Sequence, residues 1–80
     1  MGEPPGELAA LVRQAREARG WSQLGLAIEA DVAPATVARL EAGRARRPTG
    51  ATLGRLAAAL GLPLDDLAAA ATRDAAGRGR

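Results

Sequence analysis

Arginines that could bind an anionic partner crowd one short stretch of the sequence. Between residues 39 and 55 the chain carries one acid, Glu41, and five arginines, which are Arg39, Arg44, Arg46, Arg47 and Arg55. This window has a charge of +4, the other 63 residues together carry −2, and the net charge is only +2. Guanidinium groups bind phosphates through paired N–H donors. A local basic patch on a nearly neutral chain therefore favours a nucleic-acid partner, and a solvated loop is the plainer alternative.

The residue types that carry most enzymatic and metal chemistry are missing from the sequence. It contains no cysteine, histidine or lysine, and Ser22 is its only serine. These absences remove thiolate and imidazole metal ligands, a histidine general base and a lysine that could form a Schiff base. Asp65 and Asp66 form an acidic pair, but its position suits the positive end of a helix. We therefore expect no enzymatic activity, no metal, no cofactor and no small-molecule ligand.

The composition predicts that helices alone position these side chains. Alanine fills 21 of the 80 positions, phenylalanine and tyrosine are absent, and β-branched residues are few and scattered. Alanine is the strongest helix former, and a glycine after an apolar-periodic segment suits the left-handed residue that ends a helix. Gly20, Gly43 and Gly61 occupy such positions. We therefore predict an all-α chain of five helices.

The first two helices are predicted at about residues 7–19 and 23–30. The apolar spacing on helix 1 indicates an inward face that consists of Leu8, Leu11, Val12, Ala15 and Ala18. Ser22 is the predicted N-cap of helix 2. This helix is weak by propensity, so we expect it to depend on packing through Leu24, Ala27 and Ile28.

Helix 3 is predicted at about residues 34–42, after a connection of three residues, 31–33. Pro34 suits its first position, because the N–H that proline lacks would be unpaired there. Val37 and Leu40 have the spacing of an inward face. The segment GRARRP, residues 43–48, follows as a loop.

The last two helices are predicted at about residues 50–60 and 64–71. Thr49 is the predicted cap of helix 4, whose inward face consists of Leu53, Leu56, Ala57 and Leu60. We divide the chain into a flexible N-terminus, residues 1–6, a helical domain, residues 7–72, and a flexible tail, residues 73–80. Residues 1–7 are acidic and contain Pro4 and Pro5, unlike a signal peptide, and no apolar run is long enough to cross a membrane. A soluble, cytoplasmic protein is expected.

Two short helices joined by a tight turn are typical of a helix-turn-helix. The segments REARGWSQLGLA (16–27), VAPATVARLEAGRARRP (32–48) and TLGRLAAALGLPLDDL (52–67) resemble the lambda-repressor-like, Cro-type domains, also called the xenobiotic-response-element family. The resemblance covers about residues 8–67. It implies a compact five-helix domain, with the helix-turn-helix formed by helices 2 and 3, and a repressor-like regulator of transcription that binds double-stranded DNA.

The resemblance also implies which residues meet DNA. Helix 3 of the family lies in the major groove, and its outward positions here are Ala33, Pro34, Ala35, Ala38 and Arg39. The first three offer only methyl and methylene surface, so direct base recognition through hydrogen bonds depends on Arg39. The residues expected to contact the DNA backbone are Ser22, Gln23, Thr36, Arg44, Arg46 and Arg47.

Two further expectations concern residues that hold helix 3 in position. Arg16 and Glu41 match positions that form a buried ion pair in relatives, with two solvated charges as the alternative. Asp31 stands where relatives usually have glycine, and aspartate tolerates the left-handed conformation better than most residues do.

The sequence leaves other partners open. Pro34, Ala35, Ala38 and Ala42 could form a smooth surface for a partner helix, so the alternative function is a protein-interaction module or an antitoxin-like protein on the same fold. A homodimer is a further alternative, and it could use the apolar run at residues 67–71.

Overall fold

Five helices and no strand form the part of the chain that the structure describes, residues 6–45 and 47–78 of a computed structural model. The helices are α1 (Glu7–Ala18), α2 (Gln23–Ala30), α3 (Pro34–Glu41), α4 (Gly50–Leu60) and α5 (Leu64–Arg78). The prediction of an all-α, five-helix chain is confirmed. None of the described helices is long and apolar enough to cross a membrane.

The core is aliphatic, and every helix contributes to its centre. The largest fully buried side chains are one from each helix: Val12, Leu26, Val37, Leu56 and Leu67. Trp21, the only aromatic residue of the chain, is half-buried at the edge of this cluster. Full burial of an aliphatic side chain stabilises the folded state by about 1.5–3 kcal/mol, so these five side chains hold the helices together.

Each of the first four helices ends in the same backbone motif. The residue after the last turn is left-handed, with φ of 72° at Gly20, 57° at Asp31, 75° at Gly43 and 68° at Gly61. The next N–H bonds back to a carbonyl five residues earlier, as Trp21 N does to Arg16 O at 3.2 Å. This Schellman arrangement pairs carbonyls that the helix itself leaves free. It sets the angle at which the chain leaves each helix.

The predicted inward face is confirmed for α4 and for Val37 and Leu40 of α3, which are buried. For α2 the prediction is confirmed for Ala27, which is buried, but wrong for Leu24 and Ile28, which are 55% and 68% exposed. Leu26 and Ala30 are buried instead. Apolar residues lie all round this eight-residue helix, so its periodicity does not select a face. Its rotation follows instead from tertiary packing against α3 and α4, which takes Leu26, Ala27 and Ala30 into the core.

The prediction for α1 needs a smaller correction. Leu8 and Val12 are buried and Leu11 and Ala15 are partly buried, as expected. Ala18, however, is exposed, and Ala9 is buried in its place. The reason is that α5 packs against α1 and covers a surface of it that the repeat within α1 does not reveal.

The predicted end of helix 5 at residue 71 is also wrong, because α5 continues to Arg78. The Asp74 carboxylate accepts hydrogen bonds from Glu7 N at 2.8 Å and Leu8 N at 3.1 Å. Arg73 Nε lies 2.8 Å from Glu7 Oε1. Asp74 therefore caps the start of α1, and Arg73 and Asp74, predicted to lie in the tail, are helical residues in contact with α1. Residues 1–5 and 79–80, also predicted to be flexible, lie outside the described residues.

Gly6 makes this capping contact possible. A Cβ atom at residue 6 would lie 2.6 Å from Asp74 Oδ1, closer than non-bonded atoms can approach. Gly6 is the N-cap residue of α1 and has no side chain that could cap the helix. A carboxylate from the far end of the chain therefore supplies what a local Ser, Thr or Asp would supply elsewhere.

We predict that Asp74→Ala lowers the free energy of unfolding by about 1–2 kcal/mol, because two N–H groups at the start of α1 lose their acceptor. The measurement is urea unfolding followed by circular dichroism. Glu29→Ala is the control, since Glu29 is an exposed acid on α2. Equal unfolding midpoints for the two variants would contradict the capping role.

Candidate nucleic-acid interface

The turn between α2 and α3 sets the direction of α3. Asp31 N donates to Ile28 O at 3.2 Å and Val32 N donates to Ala27 O at 3.0 Å, which ends α2. Ala33 is the N-cap of α3, and Pro34 is its first residue. The three-residue connection is therefore as predicted. Asp31 is the only described residue other than glycine with a positive φ, so it takes the left-handed position that relatives give to glycine.

Arg55 supports this turn from α4. Its Nη1 atom donates to the backbone oxygen of Asp31 at 2.8 Å and lies 3.7 Å from Asp31 Oδ2. Both side chains are exposed, so the ion pair itself contributes little. The bond to the carbonyl fixes the turn on α4, and Arg55 therefore has a structural contact within the basic window.

A buried ion pair joins α3 to α1, as the resemblance implies. Glu41 Oε2 lies 2.7 Å from Arg16 Nε, and Glu41 Oε1 lies 2.8 Å from Arg16 Nη2. The side chain of Glu41 is only 3% exposed, and that of Arg16 is 11% exposed. Arg16 Nη1 also donates to Trp21 O at 2.7 Å, which ties in the segment before α2. One guanidinium group thus connects the parts of the chain that carry α1, α2 and α3.

Hydrogen bonding to Glu41 is the main cause that raises the pKa of Arg16 above its ordinary value, and the charges of Glu41 and Glu17 act in the same direction. Burial alone would lower the pKa. Because the pKa of Arg16 is higher in the folded protein, its contribution to the stability of the fold is fully present below the unfolded-state pKa. That contribution is lost only as the pH rises through the folded-state pKa. Arg16 therefore stays charged throughout the physiological range.

The two residues at the start of α2 are both exposed, and each makes a side-chain hydrogen bond, Ser22 within the first turn and Gln23 to α3. Ser22 Oγ accepts a hydrogen bond from Gly25 N at 2.9 Å, so Ser22 is the predicted N-cap. Gln23, the first residue of α2, donates from Nε2 to Glu41 Oε1 at 3.1 Å. Of the two residues predicted to contact the DNA backbone here, Gln23 therefore lies beside the buried ion pair and Ser22 caps α2.

The outward positions predicted for helix 3 lie on its exposed side. Ala33, Pro34, Ala35, Ala38 and Arg39 are exposed, and Thr36 is half-buried. Val37, Leu40 and Glu41 form the buried side of the same helix. The surface that α3 presents is therefore nearly all methyl and methylene groups, with Arg39 in its last turn.

A cleft beside the end of α3 brings three of the predicted arginines together. Arg39, Arg44 and Arg47 line it, together with Thr36, Thr49 and Thr52. Arg44 N donates to Arg39 O at 2.8 Å, which closes the Schellman motif of α3. After α1, α2 and α4, the residue that donates this closing hydrogen bond is apolar and half-buried: Trp21, Val32 and Leu62. After α3 the donor is Arg44, and it is exposed. Arg46 lies outside the described residues.

These three arginines also differ in their partners from four other arginines of the chain. Arg13, Arg16, Arg55 and Arg73 each form an ion pair with an acid. Within the described part of the chain, no acid lies within ion-pair distance of the three arginines of the cleft. Their positive charge is therefore available to an external anion. The structure also adds Thr52, which the sequence analysis missed; its hydroxyl lies 3.0 Å from that of Thr49, three residues earlier.

The comparisons with known proteins agree with this architecture. A helix-turn-helix family model matches residues 12–67. A search of curated proteins gives no significant match. Among solved structures, the chain is similar to the restriction-modification controller protein C.AhdI from Aeromonas hydrophila, with 28% sequence identity and a TM-score of 0.68. The similarity covers 75% of this chain and 89% of that one.

We predict that Arg16→Ala lowers the free energy of unfolding by about 3–5 kcal/mol, because it leaves the Glu41 carboxylate buried without its main partner. Arg13→Ala is the matched control, since Arg13 forms an exposed pair with Glu17 at 3.2 Å. Such a pair contributes about 0.3–0.5 kcal/mol. Urea unfolding followed by Trp21 fluorescence measures both variants, and equal midpoints would contradict the structural role of the buried pair.

Proposed function

The chain belongs to the lambda-repressor-like helix-turn-helix family, whose members bind DNA and regulate transcription, and we propose that it places α3 in the major groove with the arginine cleft on the DNA backbone. The observation that carries this proposal is the group of three arginines without acid partners beside the end of α3. In a protein with a net charge of only +2, three such arginines around one cleft make a locally basic surface.

The backbone contacts come from two sides of α3. Arg44 and Arg47 follow the helix, and Thr36 lies on it, next to the same cleft. Gln23 approaches from the start of α2, where free N–H groups favour an anion. Phosphate contacts of this kind set the register of a protein on DNA without reading the sequence. Ser22 and Arg46 complete the set of residues proposed to contact the backbone.

Base recognition depends on fewer groups. Ala33, Pro34 and Ala35 can contact thymine methyl groups but cannot form paired hydrogen bonds. Arg39 can donate two hydrogen bonds to O6 and N7 of a guanine. We infer that sequence specificity rests on Arg39 and on the shape and flexibility of the DNA between the backbone contacts.

We also infer that the protein acts by binding alone, in the cytoplasm where its DNA target lies. The absence of cysteine, histidine and lysine from the sequence supports a role without catalysis. C.AhdI is a controller of restriction and modification; a comparable role for this chain is control of a small set of genes. A homodimer would bind two half-sites about one turn of DNA apart. Leu67 and Ala70 are already buried within the monomer, so the run 67–71 offers little surface for that contact.

The first test is the salt dependence of binding to a duplex selected from random-sequence DNA with the purified protein. Fluorescence anisotropy should give a slope of log affinity against log salt of about −0.9 for each phosphate neutralised. Arg44→Ala and Arg47→Ala should each make the slope shallower by about 1 and weaken binding to all sequences alike. Arg13→Ala is the control. A flat slope for the wild type would contradict DNA binding and favour a protein partner.

Arg39 requires a different measurement, because its proposed contact reads a base. Arg39→Ala should lose about 1–3 kcal/mol of discrimination at one G·C base pair. Repeating the selection with the variant should therefore relax the preference at one position and leave the others unchanged. A uniform loss of affinity with an unchanged preference would assign Arg39 to the backbone instead.

A further inference from the structure

The Glu41 carboxylate has a third hydrogen-bond partner besides the two groups of Arg16. Its Oε1 atom accepts from Arg16 Nη2 at 2.8 Å and from Gln23 Nε2 at 3.1 Å. Ion pairing between α1 and α3 explains the two arginine bonds but not the glutamine bond. Gln23 is exposed at the start of α2, and yet its side chain turns toward an acid that is only 3% exposed.

The chemistry of the carboxylate determines which way the glutamine side chain faces. An ionised carboxylate only accepts hydrogen bonds, so the NH₂ group of Gln23, and not its oxygen, must face Glu41. A primary amide nitrogen carries two hydrogens. One of them serves Glu41, and the second remains on the exposed side of the residue. A phosphate oxygen of DNA accepts hydrogen bonds too, so the second N–H of Gln23 can donate to it.

Glu41 is a rigid support for that arrangement. Its two oxygens are held by Nε and Nη2 of Arg16, and Arg16 is held in turn by Trp21 O. A free glutamine side chain would lose its rotamer freedom when it binds a phosphate. A side chain that is already held loses less, and binding is correspondingly tighter.

We propose that Glu41 is a positioning residue for DNA binding, which holds the Gln23 carboxamide so that its second N–H donates to a DNA phosphate. The inference rests on the proposed function of the chain. It assigns the buried acid two roles, one in stability through Arg16 and one in binding through Gln23.

The affinity test is a double-mutant cycle with Glu41→Gln and Gln23→Met on the selected duplex. Glu41→Gln should weaken binding about threefold to tenfold, because Gln23 is no longer held before it binds. In the Gln23→Met background the same change should have less than a twofold effect. Gln23→Met should itself weaken binding but leave the salt slope unchanged, because a neutral carboxamide neutralises no phosphate and releases no counterion. Circular dichroism selects the temperature at which all the variants are folded.

The sign of the effect separates positioning from simple electrostatics. Removal of a negative charge from a DNA-binding protein by itself strengthens its attraction to phosphates. Glu17→Gln is the matched control, since Glu17 is an exposed acid on α1, and it should not weaken binding. Equal weakening by Glu41→Gln with and without Gln23 would overturn the proposal.

A second measurement does not require the Glu41 variant to fold. The sequence contains two glutamines, Gln14 and Gln23, and no asparagine, so the side-chain amide region of a ¹⁵N-correlated spectrum holds two pairs of signals. One proton of Gln23 should be protected from exchange in the free protein, and the other should shift when the selected duplex is added. Gln14 on α1 is the internal reference, and Gln23→Met confirms the assignment.

The outcomes distinguish this inference from the function on which it rests. If the wild type fails to bind DNA, the proposed function and the positioning role fail together. If it binds with the expected salt slope but both Gln23 protons exchange as freely as those of Gln14, only the positioning role is overturned.

Discussion

The hydrogen bonds between Arg16 and Glu41 constrain the rest of the domain, because they hold α3 against α1 from within the core. Replacing one partner leaves a buried charge, so the pair makes other placements of α3 costly. The guanidinium group also binds Trp21 O, at the start of the segment that leads into α2. The turn at Asp31 and the contact of Arg55 with its carbonyl then determine the remaining angle between α2 and α3. A short helix of alanines is thereby held in one orientation.

Arginine residues contribute both to the stability and to the proposed function of this chain. The partner of each arginine indicates which of the two roles it has. Arg19 donates to Leu60 O at 3.1 Å and lies 5.2 Å from the ring centroid of Trp21, so it closes the end of α4. Arg73 binds Glu7 where α5 meets α1. Arg73 adds little to the external field, because the charge of Glu7 matches its own. Among the described residues, three arginines without an acid partner are gathered at the cleft beside α3, which gives a chain of low net charge a local basic surface.

The core places a different constraint on the interface. With no phenylalanine or tyrosine, its centre consists of small aliphatic groups from all five helices. Such side chains fill space only when the helices approach closely, and Ala27 and Ala57 are buried where α2 and α4 contribute to the core. Close packing in turn leaves little room for a helix to rotate. The exposed face of α3 is consequently as well defined as its buried face, although it offers few polar groups.

Local features of the sequence determined most of the fold. The caps Ser22 and Thr49, Pro34 at the start of α3 and the left-handed residues after the helices act between residues close in the chain, so the pattern alone reveals them. The pairing of Arg16 with Glu41 and the role of the turn followed from the resemblance to a family. The rotation of α2, the length of α5 and the bond between Gln23 and Glu41 were decided only by the tertiary structure. These features depend on contacts between residues far apart in the chain, such as the 67 positions between Glu7 and Asp74, and hydrophobic periodicity carries no information about such contacts.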